Sequence, residues 1–247
     1  MTPRILLTHS SGFANFRWLE PDQRLRFQFD SGSRYSYSGE GFYILQLILE
    51  QGLGLDVDKE MLVRVFERFG MTNTSMSWRA DFAKNLSDGY GLDGSMEPHD
   101  ERSRARAVGS MDTTIADQAS LWAGVVRGGG LSADSRAEWI RSRIPIASPH
   151  QFPPLMTETE PRNAEIGLAA GLGLVTFQDR SGPGCFKGSH NPWTGNMVIC
   201  LEKGKRCAVM MGNDVRAERI YPELARAILG DTEKPWRWEY NFPPAST

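Results

Sequence analysis

Cys185-Phe186-Lys187-Gly188-Ser189-His190 and the two apolar runs after it, Met197 to Leu201 and Cys207 to Met211, decide how the chain is read. The runs are nearly unbroken and are joined by the turn Glu202-Lys203-Gly204-Lys205. They read as short buried strands, and Leu172 to Phe177 adds another before them, giving an antiparallel meander. The loop Asp179 to Gly184, rich in Pro and Gly, leads into Cys185. A lysine followed by two tiny residues marks a cationic strand edge that another backbone can approach closely. After the meander, Ile220, Leu224, Ala225, Ile228 and Leu229 are expected to form one face of a helix that covers the sheet.

Toward the N-terminus the hydrophobic period becomes helical. Thr114-Ile115-Ala116-Asp117 has the form of a capping box with Asp in the last place, and Gly128-Gly129-Gly130 ends the helix that it starts. Ser132 or Asp134 begins a short helix carrying Trp139 and Ile140. Asp58 is expected to cap a helix whose Met61, Leu62, Val65, Phe66 and Phe69 share a side. Phe42 to Gln51 is apolar on nearly every side and predicts a deeply buried helix. Residues 14 to 33, 72 to 108 and 145 to 163 read as loops. Helices followed by a meander and a covering helix imply an α/β fold of layered α+β type, an antiparallel sheet flanked by helices. One domain over 1–247 is expected, largely helical over 1–150, with the sheet and C-terminal helix over 164–232.

Composition narrows the function classes. With 247 residues there is ample length for a core, and a net charge of -2 argues against a dedicated nucleic-acid surface. No apolar run reaches membrane-spanning length. The three cysteines show no Cys-x-x-Cys spacing, and His9, His99, His150 and His190 lack metal-ligand spacing, so no metal or cofactor is expected. Cys200 and Cys207 are equidistant from the Lys203-Gly204 turn and should face each other across a hairpin. They are expected to be neighbouring free thiols. His9 beside Ser10 and Ser11 reads as local backbone bonding after a helical turn.

Several separated stretches together resemble the serine β-lactamase-related family, which includes class C β-lactamases, D-alanyl-D-alanine carboxypeptidases and related esterases. Leu6-Leu7-Thr8-His9-Ser10-Ser11-Gly12 resembles its "LLTHTSG" segment, and Tyr37-Ser38-Gly39 with the apolar helix after it resembles its "YSN" turn. Thr113 to Asp117 with Gly128 to Leu131, Gly171-Leu172-Gly173, and Lys187-Gly188-Ser189 follow in the family's order. The resemblance implies a β-lactamase/transpeptidase-like fold and hydrolysis of an amide or ester through an acyl-enzyme. It makes Tyr37 the proton relay and Lys187 the cation that faces it and attracts a substrate carboxylate. It makes the backbone N–H of His190 an oxyanion-hole donor. Gly39 stands where the family has the YSN asparagine, and Ser189 where the third motif has glycine.

One element of the pattern is not in the sequence. The six lysines, Lys59, Lys84, Lys187, Lys203, Lys205 and Lys234, are preceded at the third position by Asp56, Asp81, Gly184, Cys200, Glu202 and Asp231. None is serine, so the family's Ser-x-x-Lys is absent. The family places it upstream of the "LLTHTSG" segment, and the expectation is therefore a truncated member without the nucleophile helix and first strands. The expected ligand is a small molecule or peptide. An unpaired sheet edge would favour self-association, and the compartment stays open. The alternative is a non-catalytic or degenerate binding module of the same fold.

Overall fold

The computed structural model describes residues 1–240. Its helices are α1 (Pro3–Leu7), α2 (Gly39–Leu47), α3 (Val57–Met61), α4 (Ile115–Val126), α5 (Ala133–Trp139), α6 (Pro161–Glu165), α7 (Tyr221–Leu229) and α8 (Trp236–Tyr240). A small hairpin joins β1 (Gly89–Tyr90) to β2 (Met96–Glu97). The main sheet contains β3 (Ile144–Pro145), β4 (Ala169–Ala170), β5 (Val175–Asp179), β6 (Gly182–His190), β7 (Gly195–Leu201) and β8 (Arg206–Gly212). Its spatial order is β3-β4-β5-β6-β7-β8, antiparallel throughout. The expected meander is present, and β6 starts earlier than its sequence suggested, pairing Gly182 with Asp179.

The unbroken apolar runs are explained by burial on both faces. On one face Phe177, Phe186, Met197, Ile199, Leu201 and Met210 pack with Tyr221, Ala225 and Leu229 of α7 and with Trp238 of α8. On the other, Cys185, Val198 and Cys200 pack with Val126 of α4 and Trp139 of α5. Alternate residues of β6, β7 and β8 therefore face different helices. The result is a layered helix–sheet–helix body.

The helix starts follow side-chain chemistry. Thr114 Oγ1 accepts the N–H of Asp117, and Ser132 Oγ accepts that of Ser135. Asp117 does not reach back to its cap; its carboxylate accepts from Thr74 Oγ1 and Asn73 N. The cap of α3 is Asp56, whose carboxylate accepts Lys59 N–H. Asp58, expected in that place, accepts from Ser77 Oγ instead.

Two burial expectations are corrected. In α2 and the π-helical turn Ile48–Gly52 that continues it, Leu47 is 57% and Ile48 38% exposed. The helix is apolar all round but packs on one side, against α1 and its neighbours. In α7, Tyr221, Ala225 and Leu229 meet the sheet, whereas Leu224 and Ile228, with Ile220 just before the helix, form an exposed second stripe. Helix periodicity shows that a face is apolar and does not say what covers it.

The largest correction concerns the cysteines. Cys200 and Cys207 are opposite each other in the β7–β8 register, as their spacing implies, and they are bonded as a disulfide. Their Cα atoms are 4.1 Å apart, the close approach that directly opposed antiparallel residues make. Cys185 is buried and free. Burial pushes its thiol up to about 12. Alkylation of the unfolded, unreduced protein should therefore add one adduct, at Cys185, by intact mass. Three adducts would show that the bridge does not form. Cys207→Ser should lower unfolding free energy by about 2–3 kcal/mol, the loop-closure contribution for so short a loop.

Candidate functional site

The site begins where β5 leaves β6. Their register ends at Val175↔Phe186, while β6 remains paired with β7 as far as His190↔Gly195. Lys187 to His190 thus keep a backbone edge that β5 does not cover. The chain turns away through Gly173, which takes φ +82° and donates its N–H to Leu7 O at 2.9 Å. A residue with a Cβ is disfavoured at that φ. This bond fastens the end of α1 beside the open edge.

The segment after α1 carries the facing wall. Thr8, His9, Ser10 and Ser11 are all buried. His9 grips the turn around Tyr37 from both sides: its carbonyl accepts Ser36 N–H at 2.8 Å and its Nδ1 accepts Ser38 N–H at 3.1 Å. The imidazole stacks on the Tyr37 ring, with centroids 4.2 Å apart. Burial, and second the charge of Lys187, hold His9 neutral and push it down to about 3. The neutral ring is also the form that leaves Nδ1 free to accept from Ser38.

Tyr37 and Lys187, distant in sequence, line one cavity with His9, Gly173 and Gly188. Lys187 Nζ lies 5.4 Å from the Tyr37 ring centroid and donates to Gly188 O at 2.8 Å. The cavity volume is about 10 Å³, room for roughly one water.

The other residues named from sequence lie elsewhere. Gly39 is buried as the first residue of α2, outside the cavity lining. A Cβ there would come within 2.2 Å of the Phe16 ring, so the asparagine of the family pattern would require that ring to move. Ser189 is exposed and pairs with Asn196. His190 ends β6, and its Nδ1 is 3.5 Å from Glu218 Oε1. That carboxylate raises the imidazole above its ordinary value, against the opposing effect of burial. Gly195, opposite His190, admits Glu218: a Cβ would lie 2.3 Å from Oε1.

Sequence reading passed over several groups. Phe152 stands between Tyr37 and His190, with centroids 5.1 Å and 6.0 Å away. Glu239 and Gln151 line the cavity itself. Lys234 is buried with Nζ 3.9 Å from the Trp236 centroid and 4.7 Å from that of Phe186, and desolvation lowers it to about 7. None lies in a recognisable motif. The glycines at 188 and 195 were the available signal, since each makes room for a carboxylate. Among the described residues no group of His, Cys, Asp and Glu could hold a metal ion, and no helix is long and apolar enough to cross a membrane.

The family model described as Beta-lactamase matches residues 1–231. A class C beta-lactamase structure superposes with a TM-score of 0.69 at 13% identity, covering 92% of this chain and 68% of that one. A D-stereospecific amidohydrolase from Streptomyces sp. gives 0.67 at 16% identity, with coverage of 93% and 72%. An octameric penicillin-binding protein homologue from Pyrococcus abyssi gives 0.66 at 15% identity, with coverage of 93% and 56%. The chain thus spans between 56% and 72% of the length of these solved structures. No curated protein matches it in sequence.

The His9 clamp has a pH signature. A histidine in the unfolded chain titrates near ~6.5, so between that value and about 3 the unfolded state binds the extra proton. The His9 contribution is complete above the unfolded value and is lost as pH falls toward the folded one. Urea unfolding at ~pH 7 and ~pH 4.5 should show wild type losing about 2–3 kcal/mol more than His9→Gln. Equal losses would mean that His9 is not held neutral.

Proposed function

Since the chain belongs to the Beta-lactamase family, we propose that it forms one wall of the acyl-transfer cleft of a serine hydrolase acting on an amide or ester. A β-lactam and a D-alanyl peptide are substrates of that chemical class. The observation that supports the reading is the placement of Lys187 Nζ over the Tyr37 ring at the uncovered edge of β6. Tyr37 is assigned proton transfer: it takes the serine proton as the oxygen bonds to the substrate carbonyl carbon, and returns it to the leaving amine or alcohol. Lys187 supplies positive charge beside that phenol and attracts a substrate carboxylate. The N–H of His190 is assigned to the oxyanion, a donor whose loss costs on the order of 100- to 1000-fold in such sites. Gly39 and Ser189 are assigned to the substrate-facing margin by motif position, though Gly39 packs under Phe16.

None of the six lysines has a serine three residues before it, so no Ser-x-x-Lys occurs among these 247 residues. Loss of the nucleophile costs on the order of a million-fold in serine hydrolases. The polypeptide alone should therefore take up no stoichiometric label from a fluorophosphonate or a fluorescent penicillin. Labelling would overturn the assignment. An in-frame upstream Ser-x-x-Lys would support the hydrolase reading. A second reading, a non-catalytic binding module, is favoured by the nearly filled cavity and by Gly39 in the asparagine position.

We also propose that copies associate through β8. Its outer edge has no strand partner among the described residues, and Arg206 is its one charged residue. Such an edge lacks the charges and prolines that discourage pairing. The exposed Leu224 and Ile228 belong to α7, which packs on β8, and exposed Ile220 immediately precedes it. Light scattering should give a mass above the 27.6 kDa monomer, and Leu224→Lys, on the exposed stripe beside β8, should reduce it. A wild-type monomer at high concentration would rule out the association.

A further inference from the structure

Acyl transfer as proposed above has no use for Glu239, yet Glu239 lines the cleft. Glu239 is 8% exposed and lines the same cavity as Tyr37, Lys187 and Gly188. Its Oε1 would lie 1.9 Å from a Cβ placed on Gly188, so the bare strand at that position is what admits it. The Gln151 side-chain amide, oriented to satisfy both of its ends, donates to both carboxylate oxygens at 3.3 Å.

α8 is held in this position by its neighbours. Gln151 N–H donates to Trp238 O at 2.8 Å, and Trp238 Nε1 donates to Ser148 Oγ at 3.4 Å. His150 Nδ1 lies 3.1 Å from Arg237 O. Trp238 itself is 2% exposed and packs against Tyr35 and Phe186. A buried aromatic residue thus anchors a one-turn helix whose next residue delivers a carboxylate to the strand edge. Burying a carboxylate costs several kcal/mol unless partners compensate. The Gln151 amide, the neighbouring amine of buried Lys234 and a side-chain-free strand residue supply that accommodation here.

We propose that Glu239 is an intramolecular competitor for the carboxylate of an incoming ligand, so that α8 plugs the cleft until a carboxylate-bearing ligand displaces it. This rests on the assignment of the Lys187 edge as the wall that receives a substrate carboxylate. A tethered group acts at an effective concentration of order millimolar, so apparent affinity falls with the fraction of molecules in which the cleft is free. A ligand without a carboxylate offers Lys187 no charge to attract and does not displace α8.

The test is titration of the full, isotope-labelled chain with N-acetyl-D-alanine, followed at the backbone amides of residues 187 and 188. Glu239→Gln, which keeps the packing and removes the charge, should bind on the order of tenfold more tightly than wild type. Gly188→Ala, whose methyl group expels the carboxylate, should behave likewise. N-acetyl-D-alaninamide should gain nothing. Equal affinity in all three proteins, abolished by Lys187→Ala, overturns the plug and leaves the Lys187 assignment standing. If none binds the probe at residue 187, that assignment fails, and the ligand-free proteins then judge the plug alone. Amide hydrogen exchange at residues 188 and 189 should be faster in Glu239→Gln, and unchanged exchange overturns the proposal.

Discussion

The site depends on one register boundary. β5 stays with β6 up to Val175↔Phe186 and then leaves through Gly173, while β7 follows β6 four residues further. A strand edge left open beside a buried residue such as Gly188 has to satisfy its backbone groups in some other way. Here Lys187 Nζ caps Gly188 O, and the walls around the opening come from the Tyr37 turn and from α8. Had β5 continued, the edge beside Lys187 would be an ordinary interior of the sheet.

The facing wall is stiff for reasons independent of the sheet. His9 holds the amides on both sides of Tyr37, and Ser38 joins the turn to α2 by accepting Gly41 N–H while donating to Ala14 O. Glu40, fully buried, accepts from Arg17 through both its backbone and its guanidinium, which fixes the start of α2 against the preceding loop. Removing one member of such a network leaves a buried polar group unpaired, a larger loss than the bond itself. Tyr37 is thereby placed by the fold, and Lys187 meets it.

Two carboxylates give the region its electrostatic character. Glu239 reaches the sheet at Gly188 and Glu218 reaches it at Gly195, each occupying the space of an absent Cβ. Glu218 holds the imidazole of His190, which sequence reading valued for its backbone alone. Buried Lys234 lies within range of both carboxylates, which act against the desolvation that lowers it. Charge is thus concentrated on the α8 side of the sheet, beneath the open edge.

The amino-acid sequence by itself determined the meander, the opposition of Cys200 to Cys207, the cap at Thr114, and the ordered motifs whose family resemblance sets Lys187 opposite Tyr37. These follow from local rules: alternation, turn symmetry, side chains bonding the next backbone amides, and residue order. Tertiary structure decided that the cysteines are bonded, that Leu47 and Ile228 face outward, and that Gly39 lies under Phe16. It also decided that Glu239 and Gln151 share the cavity with Lys187. The reason is the same in each case. Periodicity records which positions are apolar or small, whereas burial, bonding and the filling of a cavity depend on what a distant segment presents across the gap.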